Sequence, residues 1–116
     1  MSEFTIYHNP RCSKSRTTLA LLEEHGVSPT IVLYLDSQPG AGEIRGLLKA
    51  LGKSASQLVR RGEGAYKEAG LSSDSSEAEI IAAMAAAPKL IERPIVVRGG
   101  RAVVGRPPEN VLELMD

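Results

Sequence analysis

The run Thr30-Ile31-Val32-Leu33-Tyr34-Leu35 is almost continuous in apolar and β-branched residues. Such a run suits a strand buried on both faces, as in a parallel βαβ unit. It needs a parallel partner, and Phe4-Thr5-Ile6-Tyr7 upstream reads as a strand. Asn9-Pro10 breaks that first strand. A helix follows from about Cys12 to Glu24, with Leu19, Ala20 and Leu22 as its apolar stripe and Gly26 as a left-handed cap just past its end. A strand, a helix and a parallel strand in this order form a right-handed crossover almost without exception.

The middle of the chain is helical. Ile44, Leu47, Leu48 and Leu51 fall at helical spacing within Ala41–Leu51, and Gly52 ends that helix. Ser54 caps a short helix through Arg60. Tyr66–Ala69 forms a further turn, and Ser76-Glu77-Ala78-Glu79 is a capping box for a helix that Pro88 stops. The last third changes character. Pro94–Val97 and Ala102–Val104 are strands around a Gly99-Gly100 hairpin, and Pro107-Pro108 opens a short helix through Met115. The order is β-α-β, a helical insertion at about 40–90, then β-β-α, within one α/β domain spanning 1–116. Arg98 and Arg101, beside the hairpin turn, read as solvated charges.

Composition narrows the class. The 116 residues are 42% hydrophobic, enough for one core and too many for general disorder. Lysine plus arginine and aspartate plus glutamate are 14 each, so no basic excess points to nucleic acid. No apolar run is long enough to span a bilayer, and no charged leader precedes an apolar segment. Cys12 is the only cysteine, which excludes an internal disulfide and favours a reducing cytoplasm. His8 and His25 with one cysteine give no metal-ligand spacing, so no metal site and no bound cofactor are expected.

Cys12 carries the chemistry. A thiol at a helix N-terminus is set up to ionise, and the thiolate is the nucleophile. No acidic residue lies between Glu3 and Glu23, while His8, Arg11, Lys14 and Arg16 surround the cysteine in sequence. His8 reads either as a base or charge partner of the thiol or as a strand-end histidine bonded to backbone. Ser15, one turn on, reads either as a donor to the thiolate or as a helix-start serine making a local bond. Asn9 shapes the turn, and His25 is a partner for the helix C-terminus.

The element order, with a cysteine opening the first helix, resembles the thioredoxin–glutaredoxin fold. His8-Asn9-Pro10-x-Cys12-x-x-Ser15-Arg16, Glu92-Arg93-Pro94-Ile95-Val96-Val97 and Gly105-Arg106-Pro107-Pro108-Glu109 together resemble the glutaredoxin-coupled arsenate reductase (ArsC) family over nearly the whole chain. The spelling Cys12-Ser13-Lys14-Ser15 is closest to the small ArsC-like YfgD subgroup; the longer reductases commonly carry a Gly-Thr pair in place of Ser13-Lys14. The resemblance implies a cis Arg93–Pro94 bond facing the cysteine. It also implies attack of Cys12 on arsenate or a similar oxyanion held by Arg60, Arg93 and Arg106. Arg61, adjacent to Arg60, is the alternative at that position. Glutathione would serve as co-substrate and a glutaredoxin as partner. Two other readings stay open. One is a glutathione-linked thiol oxidoreductase acting on another substrate. The other is an Spx-like regulatory module, a related fold that binds RNA polymerase and typically pairs two cysteines where this chain has Cys12 and Ser15.

Overall fold

The computed structural model describes residues 3–115. The elements run β1 (Phe4–Tyr7), α1 (Ser13–Glu24), β2 (Thr30–Val32), α2 (Tyr34–Ser37), α3 (Ala41–Leu51), α4 (Ala55–Leu58), α5 (Gly64–Glu68), α6 (Glu77–Ala86), a 3-10 turn (Pro88–Leu90), β3 (Ile95–Arg98), β4 (Arg101–Val104) and a 3-10 helix (Pro108–Leu114). The backbone gathers into two compact units. One holds the chain up to Tyr34 and from Arg93 onward; the other is Leu35–Glu92.

The first unit contains the sheet. Its order is β2-β1-β3-β4. β1 lies parallel to β2 with Ile6 beside Ile31. It lies antiparallel to β3 with Tyr7 beside Ile95, and β3 is antiparallel to β4 with Val97 beside Ala102. This is the mixed four-stranded sheet of a thioredoxin-like α/β domain. Alternation along β1 puts Phe4 and Ile6 on one buried face. They pack with Val96 of β3, Leu22 of α1, and Val111 and Leu114 of the C-terminal 3-10 helix.

Two expectations about the elements of this unit are corrected. The apolar run at 30–35 is not a doubly buried strand. β2 stops at Val32, forms the edge of the sheet, and leaves Ile31 and Leu33 48% and 42% exposed. The chain then turns into α2 at Tyr34, which is itself fully buried. A short apolar run does not distinguish an edge strand followed by a helix from one long central strand. The buried stripe of α1 is also shifted. It consists of Ser15, Thr18 and Leu22, with Ala20 exposed and Leu19 half-buried.

The second unit is helical. Ile44, Leu47 and Leu48 of α3 and Ile80, Ile81 and Met84 of α6 are buried, as the helical spacing predicts. Gly52 closes α3 with a left-handed backbone at φ +68°. The capping box of α6 is formed: the Glu79 N–H donates to Ser76 Oγ at 3.1 Å and the Ser76 N–H to the Glu79 carboxylate at 2.7 Å. The Ala55 N–H donates to the carboxylate of Glu77, fastening the start of α4 to α6.

Arg98 is not the solvated charge that its place beside a turn suggests. It donates to Glu3 at 2.8 Å and to the Leu114 carbonyl at 2.7 Å, and its guanidinium lies over the Phe4 ring at 5.0 Å from the centroid. It therefore ties the hairpin to the C-terminal 3-10 helix and to β1. Arg98→Ala is expected to cost about 1.5–3 kcal/mol, the scale of losing a charge-assisted bond, read from the urea midpoint. An unchanged midpoint would return Arg98 to the surface role.

Candidate active site

The site begins where β1 ends. The His8 N–H donates to the Val32 carbonyl at 2.9 Å, carrying the parallel ladder one residue past the strand. Asn9 then holds the turn in three ways. Its carbonyl accepts from the Cys12 N–H at 3.0 Å, its Oδ1 from the Arg11 N–H at 3.0 Å, and its own N–H donates to Ser15 Oγ at 3.0 Å. Pro10 cannot continue a ladder, and its carbonyl accepts from Arg16 Nη1 at 2.9 Å.

These bonds deliver Cys12 as the N-cap residue of α1, in extended conformation at φ −94° and ψ 123°. Its carbonyl takes the first helical bond, from the Arg16 N–H at 3.0 Å. The Cys12 side chain makes no cap hydrogen bond to this helix end. Cap residues ordinarily satisfy first-turn N–H groups with a side-chain oxygen. Here a free, half-buried thiol occupies that place.

Arg106 meets the thiol from the other end of the chain. Its Nη2 lies 3.4 Å from Cys12 Sγ, and its Nε donates to the Arg93 carbonyl at 2.7 Å. The Arg93–Pro94 and Arg106–Pro107 peptides are both cis. The Gly105 N–H donates to the Pro94 carbonyl at 2.8 Å, so the two Arg-Pro segments run side by side. Gly105 is closely packed: a Cβ there would lie 2.6 Å from Thr18 Oγ1 and 2.9 Å from Pro94 Cγ. Thr18 is fully buried and donates to the Lys14 carbonyl at 2.8 Å. Asn110 Nδ2 donates to the Arg106 carbonyl at 3.1 Å and to the Val104 carbonyl at 3.2 Å, bracing the segment from outside. Nε and Nη1 of Arg93 are buried.

His8 and Ser15 meet each other, not the sulfur. Ser15 is fully buried, and its Oγ lies 2.6 Å from His8 Nδ1. Among the described residues neither hydrogen-bonds Cys12; Ser15 thus takes the local role, bonding the Asn9 amide. Burial pushes the His8 pKa below the ordinary histidine value, and the nearby Arg16 charge lowers it further. His8 is therefore neutral at neutral pH and does not supply a positive charge to the thiol.

Arg60 belongs to the helical unit, where it pairs with Glu92 at 3.5 Å and Glu63 at 3.7 Å. Arg61 donates to the Ser56 carbonyl at 3.2 Å. His25 Nδ1 meets the Leu21 carbonyl at 2.9 Å, matching its expected role at the end of α1. Among the described residues, no group of three or more histidine, cysteine or acidic side chains is arranged to hold a metal ion, and no helix is long and apolar enough to cross a membrane.

Sequence reasoning missed Thr18 and Asn110, and named Gly105 only as part of a motif, without its packing role. Thr18 had a signal, because a threonine three residues after Ser15 shares its helix face. Asn110 had none, since its role depends on how the chain turns after Arg106.

The lowered His8 pKa sets a stability window. Its folded value lies below the unfolded one of about 6.5, so the unfolded chain takes the proton first as pH falls. The contribution is complete above about pH 6.5 and is lost as pH drops from there through the lowered folded value. Urea midpoints from about pH 7.5 down to about pH 5 are expected to fall more steeply for the wild type than for His8→Gln. Parallel slopes would show that His8 adds nothing to the acid sensitivity.

Residues 7–114 match the ArsC family. The chain is 57% identical over 112 residues to the uncharacterized protein YfgD of Escherichia coli K12, covering 95% of this chain and 94% of that protein. It is 48% identical over 112 residues to an arsenate reductase of Haemophilus influenzae, covering 95% and 97%. The solved structure of an arsenate reductase from Vibrio cholerae aligns with a TM-score of 0.93 at 50% identity, over 97% of each chain. With a cysteine at the start of α1, an arginine against its sulfur and this likeness along nearly its whole length, the chain belongs to the ArsC family.

Proposed function

We propose that this protein reduces arsenate to arsenite through the Cys12 thiolate, with electrons from glutathione and a glutaredoxin. The observation that carries the reading is the Arg106 guanidinium 3.4 Å from the Cys12 sulfur, at a helix start to which the thiol makes no cap hydrogen bond. Helix N-termini and arginine forks both favour tetrahedral oxyanions. Arsenate bonded to that sulfur would meet both. Arg93 is assigned to the cradle on the family resemblance, and its own carbonyl holds Arg106 beside it. Arg60 is included on the family resemblance alone.

The steps balance as follows. The Cys12 thiolate attacks arsenic and displaces hydroxide, forming a sulfur–arsenic(V) bond. Glutathione thiolate then attacks the Cys12 sulfur. The pair of electrons in the sulfur–arsenic bond stays on arsenic, which leaves as arsenite, and a Cys12–glutathione disulfide remains. A glutaredoxin thiolate attacks the glutathione sulfur and frees Cys12. The sequence holds no second cysteine to resolve the disulfide internally.

The second reading, a glutathione-linked thiol oxidoreductase of another substrate, draws on Arg60, whose charge is already shared by two carboxylates. The test is arsenate-dependent NADPH oxidation with glutathione, glutathione reductase and glutaredoxin. Wild type should produce arsenite, and Cys12→Ser none. Arg106→Lys keeps the charge but loses the fork. Losing about 1.5–3 kcal/mol of charge-assisted bonding lowers kcat/KM roughly 10–150-fold. Glutathione adducts without arsenite would favour the second reading. Neither adduct nor arsenite would leave a binding module.

A further inference from the structure

The charges of α1 oppose its dipole. A helix N-terminus is partly positive and favours acids, and its C-terminus favours bases. α1 has no acid in its first turn and no base in its last. Lys14 stands at the second helical position and Arg16 at the fourth, while Glu23 and Glu24 close the helix. Arg11, one residue before the cap, adds a third cation.

All three cations are exposed. Among the described residues none has a carboxylate partner; Arg16 uses one N–H on the Pro10 carbonyl. The described acids of this unit belong to other parts of it. Glu23 and Glu24 are at the far end of a helix about 18 Å long. Glu3 is held by Arg98 at the start of β1. Glu109 and Glu113 are exposed on the C-terminal 3-10 helix, Glu109 three residues after Arg106. Arg11, Lys14 and Arg16 thus repel one another and the helix end, and among the described residues no carboxylate pairs with any of them. A departure from a local rule on this scale points to a functional site.

We infer that Arg11, Lys14 and Arg16 form a cationic collar that binds the carboxylates of a low-molecular-weight peptide thiol as it exchanges with Cys12. The inference deepens the thiol chemistry proposed above and rests on it. The oxyanion lies against the sulfur and Arg106, whereas a peptide thiol places only its sulfur there. Its carboxylates lie several bonds away, within the range of exposed side chains flanking the cysteine. The collar therefore selects anionic thiols and disulfides over neutral or cationic ones, and it does so through screened, salt-sensitive attraction.

The experiment uses three disulfides on the full chain: glutathione disulfide, which is anionic, hydroxyethyl disulfide, which is neutral, and cystamine, which is cationic. In each reaction the Cys12 thiolate attacks one sulfur, the disulfide bond breaks, and the other half leaves as thiolate. The readout is the ratio of second-order rates, which cancels changes in the intrinsic reactivity of Cys12. Wild type should prefer the anionic disulfide, with the preference shrinking as ionic strength rises from about 0.02 M to about 0.5 M. In Arg11→Gln/Lys14→Glu the anionic-to-neutral ratio should fall at least roughly five-fold. Its thermal midpoint should equal or exceed that of wild type, since an acid in the first turn suits the dipole. A ratio unchanged within about two-fold overturns the inference, as does a lowered midpoint. A raised KM for arsenate with an unchanged ratio would assign the collar to the oxyanion and also overturn it. Selectivity among disulfides in a protein that makes no arsenite would leave the collar standing and sink only the arsenate assignment.

Discussion

The site depends on one buried hydroxyl. Ser15 Oγ sits between the His8 ring and the Asn9 amide, joining the end of β1 to the first turn of α1. A fully buried hydroxyl must be satisfied, and an orphaned one costs more than its bonds contribute. Ser15 therefore has little freedom to move toward a substrate. Its role is to fix the angle at which the chain leaves the sheet and enters the helix, and that angle sets where the Cys12 sulfur lies. The neutral His8 ring fits the same picture, because a charged imidazole in that enclosed position would be poorly solvated.

The second half of the site arrives by a different route. Arg106 follows β4 and meets the backbone of Arg93 just before β3, at the open end of the hairpin. The two Arg-Pro segments are neighbours because β3 and β4 are paired, so the arginine's position is a product of sheet register. Gly105 permits close contact with Thr18 and Pro94. The thiol and its arginine are thus far apart in sequence yet held through short, mostly backbone-mediated links. This is the kind of support that keeps a catalytic constellation within tight tolerance.

Much of this was legible in the residues. β1, α1, α3, α6 and the β3–β4 hairpin follow from period and punctuation, and Cys12 stands out by its place between a strand and a helix. Arg93 and Arg106 were legible only as parts of a family pattern, since an isolated arginine beside a proline carries no direction. The pairing of His8 with Ser15 was hidden because two polar residues seven apart announce no contact. The tethering of Arg98 was hidden for a related reason: Glu3, Phe4 and the Leu114 carbonyl converge on it only once the sheet has formed. The run at 30–35 misled because burial depends on a strand's neighbours, and β2 has only one.

That same run has a consequence for the chain before it is folded. Thr30–Leu35 is a six-residue, uncharged, β-prone window with no proline, the composition of segments that seed cross-β stacking. In the folded state it is divided. Three residues pair with β1, and the remainder begins to coil at Tyr34. A sheet edge only three residues long offers an incoming strand little template. The turn into α2 therefore acts as a guard against self-association, and its protection exists only once Tyr34 is buried.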